Sequence, residues 1–307
     1  MQAIALNRWL GEILVVLAVL LALTGCKERG EKAPPPGSVK ANGAFLQHFG
    51  QPPVPQQGTC FARVGYFPLA GEPGRLRAVP LFIFREEGQL AHLLAAYTGN
   101  NWEFPPQSGL LNPFPPGTSI RISDREDDRV TIDLTAPGAD GSPEEAGRMS
   151  AALTETVLQY EDIKRVFLIV NGTAPANMPG DGFRHDPGRI ASPGSPGPLM
   201  VGGNWEKGEK DPEEIFINFD RPVTVEEIRL LDAAGQEMEG DFFQTGFDMT
   251  VVLLPAAPQA FLEGMPLRVA WQVDDRLGRA SSGEQQFLLK RFEEDEEKAL
   301  PDPGKRR

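Results

Sequence analysis

The apolar residues of this chain keep two different periods. Between residues 59 and 172 short alternating runs are interleaved with helix-period segments, and from Trp205 onward alternation alone remains. The strongest signals sit at 142–172. Ser142, Pro143 and Glu145 supply an N-cap, a first-turn proline and a reciprocal capping carboxylate, which predicts a helix start there. Met149, Leu153, Val157 and Tyr160 recur at helical spacing, with Glu155, Glu161 and Asp162 assigned to the water side. Residues 166–170 form an unbroken β-favouring run, as expected of a strand covered on both faces, and Asn171-Gly172 ends it with turn chemistry.

Upstream, residues 61–67 and 76–84 read as strands joined by a loop over 68–74. Residues 86–98 read as a helix presenting Leu90, Leu93, Leu94 and Tyr97 on one face. Ile120 and Ile122 alternate, as do Val130, Ile132 and Leu134, with the acidic run 124–128 between them as a hairpin turn. Strand, strand, helix, hairpin, helix, strand predicts an α+β domain over 59–173, its helices on one face of a small sheet. Beyond Trp205 the segments Ile215/Ile217/Phe219, Ile228/Leu230, Met249/Val251/Leu253, Leu267/Val269/Trp271/Val273 and Phe287/Leu289 predict a β-sandwich over 204–291. Proline and glycine cluster outside these domains. They mark a tether over 26–58 and a linker over 174–203, and a charged tail follows over 292–307.

The first domain resembles a known family. Thr154-Glu155, then Ile163-Lys164-Arg165-Val166 and Val170-Asn171-Gly172, are similar to the closing signature of the GerMN domain of spore-germination and sporulation lipoproteins. Gly65-Tyr66-Phe67-Pro68 resembles that family's opening aromatic strand, and Leu93-Leu94-Ala95-Ala96-Tyr97-Thr98-Gly99 its short helix. Pro115-Pro116-Gly117-Thr118 and Val130-Thr131-Ile132-Asp133-Leu134 resemble its turn and its central strand. In the second domain, Phe219-Asp220-Arg221-Pro222-Val223 and Asp274-Asp275-Arg276-Leu277-Gly278 resemble bacterial Ig-like domains of the SbsA type. What these resemblances imply is a binding or assembly part of the bacterial envelope, tied to sporulation or germination, and no reaction.

The N-terminus adds a compartment. Residues 13–23 are apolar and too short to span a bilayer as a mature helix, and Leu23-Thr24-Gly25-Cys26 follows them. That tetrapeptide resembles the bacterial lipobox, which implies a signal peptide over 1–25, a lipid on Cys26 and an extracytoplasmic, membrane-anchored protein. The net charge of −13 argues against nucleic acid as the main partner.

Candidate chemistry is thin. Once Cys26 is lipidated Cys60 has no disulfide partner, and a buried inert thiol is expected. His48, His92 and His185 fall in three different segments, so the sequence shows no Ser-His-Asp or Cys-His arrangement. Asp181, His185 and Asp186 have metal-ligand chemistry but lie in the linker. Asp124, Glu126, Asp127 and Asp128, like Asp274 and Asp275, read as solvated turns rather than calcium loops. The sandwich contains neither histidine nor cysteine, which sets copper aside. No nucleotide-binding glycine loop occurs. Exposed aromatics, Trp102 and Trp205, are the candidates for stacking on a glycan.

The expectation is therefore a non-enzymatic envelope lipoprotein with no cofactor, no metal and no catalytic residue, whose partner is another envelope protein or the cell wall. Its docking surfaces are expected on the outer face of the 142–162 helix and on the sheet edge near 120–134. Two rivals stand beside it: a lipoprotein holding a wall glycan or small solute in a cleft between Trp102 and Trp205, and an enzyme acting on the wall.

Overall fold

The computed structural model describes residues 37–55, 58–99, 104–138 and 142–293. The expected signal peptide, Cys26, Trp102 and the tail beyond Glu293 lie outside the described residues. The architecture is an α+β domain followed by an all-β sandwich, and each has its own apolar core.

The first domain runs β1 (Ser38–Ala41), α1 (Gly43–Phe49), β2 (Thr59–Pro68), β3 (Leu76–Ile83), α2 (Gln89–Gly99), β4 (Ser119–Glu126), β5 (Arg129–Thr135), α3 (Pro143–Leu158) and β6 (Arg165–Val170). The expected small sheet is in two pieces. β1 pairs parallel and β3 antiparallel with β2, while β4 pairs antiparallel and β6 parallel with β5. α3 joins them, packing on β2 of one sheet and β6 of the other. Its start follows the sequence, with Ser142 Oγ accepting from the Glu145 N–H at 3.4 Å. The hairpin turn is tighter than expected. Residues 124–126 remain in β4 beyond a bulge between Ile122 and Asp124, and Asp127, at φ 49°, heads the turn.

Four expectations are corrected here. Residues 38–50 are not tether. β1 lies alongside β2 from Ser38 to Ala41, and Asn42 caps α1 by accepting from the Phe45 N–H at 3.0 Å, so that Phe45 and Phe49 enter the core. Nor is 174–203 a loose linker. Phe183 exchanges both backbone hydrogen bonds with Val166, at 2.8 and 2.9 Å, Ala191 N–H bonds Leu76 O at 2.7 Å, and β7 (Pro198–Trp205) already belongs to the sandwich. This segment roofs α3, so every residue from Met149 to Val157 is buried and Glu155, expected in water, is only 2% exposed. Lastly, β6 buries Val166 and Leu168 while Phe167 and Ile169 stay part-exposed, so only one of its faces is fully covered.

The sandwich continues with β8 (Glu214–Phe219), β9 (Val223–Leu231), β10 (Gly240–Thr245), β11 (Thr250–Pro255), β12 (Pro266–Asp275), β13 (Ala280–Leu288) and β14 (Lys290–Glu293). One sheet has the order β10-β11-β8-β7-β14 and the other β13-β12-β9. Trp205, Ile215, Ile217, Phe219, Leu230, Val251, Leu253, Leu267, Val269 and Val273 fill the space between them. In β7, Gly202 and Gly203 read as linker residues but act as packing residues. A Cβ on Gly202 would lie 2.3 Å from the Phe216 ring and one on Gly203 2.6 Å from the Trp205 ring.

Candidate binding surfaces

The residues nominated from sequence are mostly committed to the fold. Trp205 is 1% exposed, its indole N–H bonded to Lys210 O at 3.0 Å, so it is a core residue and cannot stack on a ligand. Cys60 is fully buried, and burial pushes its thiol up to about 11. Asp181 pairs with Arg184, Asp186 with Arg189, and His185 Nδ1 lies 2.6 Å from Glu155 Oε2, so these three possible ligands turn to three different partners. Glu155 also accepts from the Asp186 N–H at 2.9 Å, which fastens the roof over α3. The acidic hairpin is likewise internally paired: Asp124 and Glu126 face Arg129, and Asp128 faces Arg165. Among the described residues no three His, Cys, Asp or Glu side chains converge as a metal site. His92 sits part-exposed at the rim of α2.

Both expected docking surfaces change. The outer face of α3 is closed by the roof, apart from its first turn. β4 has a strand neighbour on one side only, but α2 packs against it.

The contacts that sequence reading missed lie at the seam between the domains. Arg221, on the turn between β8 and β9, is 1% exposed. It bonds Asp220 at 2.7 Å and Asp275 at 3.3 Å, and it also donates to Pro193 O and Gly194 O at 2.7 and 2.9 Å. Burial works to raise the Asp275 pKa, but the Arg279 and Leu277 N–H groups and the Arg279 guanidinium together hold it below the usual carboxylate range. Arg279 then crosses the seam and donates to His48 O at 2.7 Å.

His48 belongs to the same network. Its Nε2 lies 3.2 Å from Tyr66 Oη, and burial, aided by the charges of Arg279 and Arg221, lowers its pKa to about 4. On the other flank of the seam, Phe247 at the tip of the β10–β11 hairpin stacks on Phe82 of β3, with ring centroids 4.2 Å apart and planes 10° apart. Gly50 is a point of close approach. At φ 73°, an added Cβ would meet Arg276 O and Leu277 Cδ2 at 3.1 Å. Gly50→Ala is therefore expected to destabilise the protein by about 1–2 kcal/mol, from left-handed backbone strain plus the close approach, read as a lower urea midpoint.

Elsewhere, residues of both domains line a groove of about 490 Å³. Phe104, Pro105 and Pro106 of the first domain form one wall, and Leu199, Val201, Phe287 and Leu288 of the sandwich form the other. Its polar lining is Gln286 and Lys290, and Leu288 is 66% exposed on its rim.

Residues 66–175 match the family model described as Germane, sporulation and spore germination. No curated protein matches the chain at a significant level. Among solved structures, the first GerMN domain of the sporulation protein GerM from Bacillus subtilis is 18% identical, with 41% of this chain and 93% of that chain covered at a TM-score of 0.29. PcoC, a methionine-rich copper resistance protein from Escherichia coli, is 18% identical over 31% of this chain and 99% of that one, at 0.24. Domains 1–6 of the surface layer protein SbsC are 11% identical over 31% and 14%, at 0.25. At TM-scores this low the structural likenesses establish nothing further about this chain.

Proposed function

We propose, from the premise that residues 66–175 of this chain form a Germane domain, that the protein is a non-catalytic binding and assembly module of the bacterial cell envelope. In this reading it is held at the membrane by a lipid on Cys26, its work belongs to sporulation or germination, and its partner is another envelope protein or the wall. The observation that supports it is the seam groove. Its walls are leucine, methionine, valine, phenylalanine and proline, with Gln286 and Lys290 as the polar lining. Such a surface binds by apolar burial, and because both domains supply it, a partner seated there would contact them together.

Asp124 and Glu126 pair with Arg129, Asp128 with Arg165, Asp275 with Arg221 and Arg279, and His185 with Glu155 under the roof of α3, so the titratable groups weighed in the sequence are engaged within the fold. The solute-cleft reading loses Trp205 to the core.

A photo-crosslinking residue in place of Leu288, in intact envelopes, is expected to trap one defined partner. Leu288→Glu is expected to weaken that interaction about tenfold or more while leaving the fold intact, because it places a charge on an apolar contact. Cys26→Ala is expected to move the protein out of the membrane fraction. A crosslinking pattern indistinguishable from that of an exposed control position on β13 would refute the groove as the docking surface.

A further inference from the structure

Apolar side chains in water are ordinary where they stand singly, and Phe84 does not stand singly. It is 64% exposed, directly past the end of β3, and its ring tilts on that of Phe247 with centroids 5.6 Å apart and planes at 44°. Phe247 stacks in turn on Phe82, and Phe82 meets Phe45 edge-on at 5.8 Å. The outermost ring is thus held in water at the end of a ladder rooted in the core of the first domain. A side chain so fixed has little freedom left to lose when something apolar covers it.

The same end of the sheet receives the chain from the N-terminal side. β3 ends at Ile83, the partner of Phe61, and β1 begins at Ser38, the partner of Thr59, two residues before Phe61. Phe84 and the entry point therefore lie at one end of the β1-β2-β3 sheet, about two strand spacings or roughly 10 Å apart. Only residues 27–37 separate Ser38 from Cys26. A lipid on Cys26 would keep this end at a high effective concentration beside the bilayer.

Charge favours the same end. Lys40, Arg85 and Arg276 stand here against Glu86, Glu87 and Asp248, with Lys40 paired to Glu86 at 3.1 Å and Arg276 paired to Asp248. These charges balance, whereas the whole chain carries −13. A layer of headgroup phosphates is repelled less here than by the molecule at large.

We propose that Phe84, steadied by Phe247, enters the boundary between headgroups and acyl chains of the bilayer and orients the first domain on the membrane. The inference rests on the lipid anchor of the preceding section and adds a second contact to it: the acyl chains retain the protein, and the ring sets which end faces the lipid. Lys40 and Arg85 carry apolar stems and charged tips, which suits them to the headgroup level beside an inserted ring.

The test uses the full-length protein purified from membranes and reconstituted in phosphatidylcholine vesicles. In a Trp9→Phe, Trp102→Phe background, Phe84→Trp is compared with Leu262→Trp. Leu262 is 65% exposed and precedes β12, at the other end of that strand from the turn that meets Gly50. Brominated acyl chains are expected to quench the indole at position 84 about twofold, because an interfacial group sits about 5–10 Å into that boundary. They are expected to leave position 262 unchanged, and salt at about 1 M is expected not to reverse the quenching. Equal quenching at the two positions, or quenching at 84 that salt abolishes, would overturn the proposal. So would a blue shift at 84 that follows the number of chains per vesicle and not bromination, which would make a second copy the occupant. The mass of the purified protein reports the acyl chains. A chain without them overturns the anchor and this docking with it, whereas an acylated chain left unquenched at 84 overturns the docking alone.

Discussion

Replacing Arg221 with methionine is expected to lower stability by about 3–5 kcal/mol, the usual consequence of removing one partner from a buried ion network. It is also expected to split the unfolding of the two domains into separate transitions. Both effects have one cause. The side chains of Arg221 and Asp275 are each 1% exposed and that of Asp220 11% exposed, so methionine would leave two carboxylates shut from water with less counter-charge. The carbonyls of Pro193 and Gly194, which hold the segment entering β7, would lose their donor as well. Asp275 orients Arg279, the residue that bonds His48 O, so slack at Arg221 is passed to the only side chain described here as donating a hydrogen bond from the β12–β13 turn to α1.

Urea unfolding followed by tryptophan fluorescence in a Trp9→Phe, Trp102→Phe background, where the signal reports Trp205 and Trp271 in the sandwich, can be compared with far-ultraviolet circular dichroism, which reports the helices of the first domain. Coincident curves in the parent protein and separated curves in Arg221→Met are the expected pair. Adding Asp275→Asn is expected to restore part of the loss, since one uncompensated charge is removed. Coincident curves with an unshifted midpoint in Arg221→Met would show that the lock does not couple the domains.

The second large effect concerns acid. His48 titrates near 6.5 in an unfolded chain but only near 4 in this fold, where burial and the charges of Arg279 and Arg221 keep it neutral. Between those values the unfolded state binds the additional proton, so stability rises with pH across that window. The stability is complete above about pH 6.5 and is expected to fall by about 2–3 kcal/mol as pH drops to 4, one pKa unit being 1.36 kcal/mol. Asp275 has the opposite displacement, below the carboxylate range, so its contribution is present above that range and is lost only at still lower pH. His48→Gln, which keeps a polar group near Tyr66 Oη, is expected to flatten the dependence between pH 4 and 6.5. Parallel curves of urea midpoint against pH for the two proteins would exclude His48 as its source.

What could be seen in the sequence was whatever one element declares by itself. The cap at Ser142, the alternation of Val130, Ile132 and Leu134, and the sandwich strands about Ile217 and Val269 all lie where the periods place them. What escaped needed a neighbour. α1 is a seven-residue helix set close to prolines, and β7 carries two glycines whose purpose is clear only beside the rings of Phe216 and Trp205. Glu155 was placed in water because a period distinguishes two sides of a helix and says nothing of a second layer over the outer one. A signal was nonetheless present. From Met149 to Tyr160 the only charged residue is Glu155, among alanines, serine and threonines, which is the texture of a helix enclosed all round. Asp220-Arg221 and Asp275 stood out in the sequence, but their meeting across 54 residues was not legible there.

The parallel start of β1 beside β2 has a further consequence. With Ser38 already built into the sheet, the chain between Cys26 and the folded body is residues 27–37, and not 27–58. At about 3.6 Å per residue this leash spans at most roughly 40 Å, against well over 100 Å for the longer one. With the lipid on Cys26 as proposed, that length sets the greatest distance at which Ser38, and the sheet it enters, can stand from the bilayer surface.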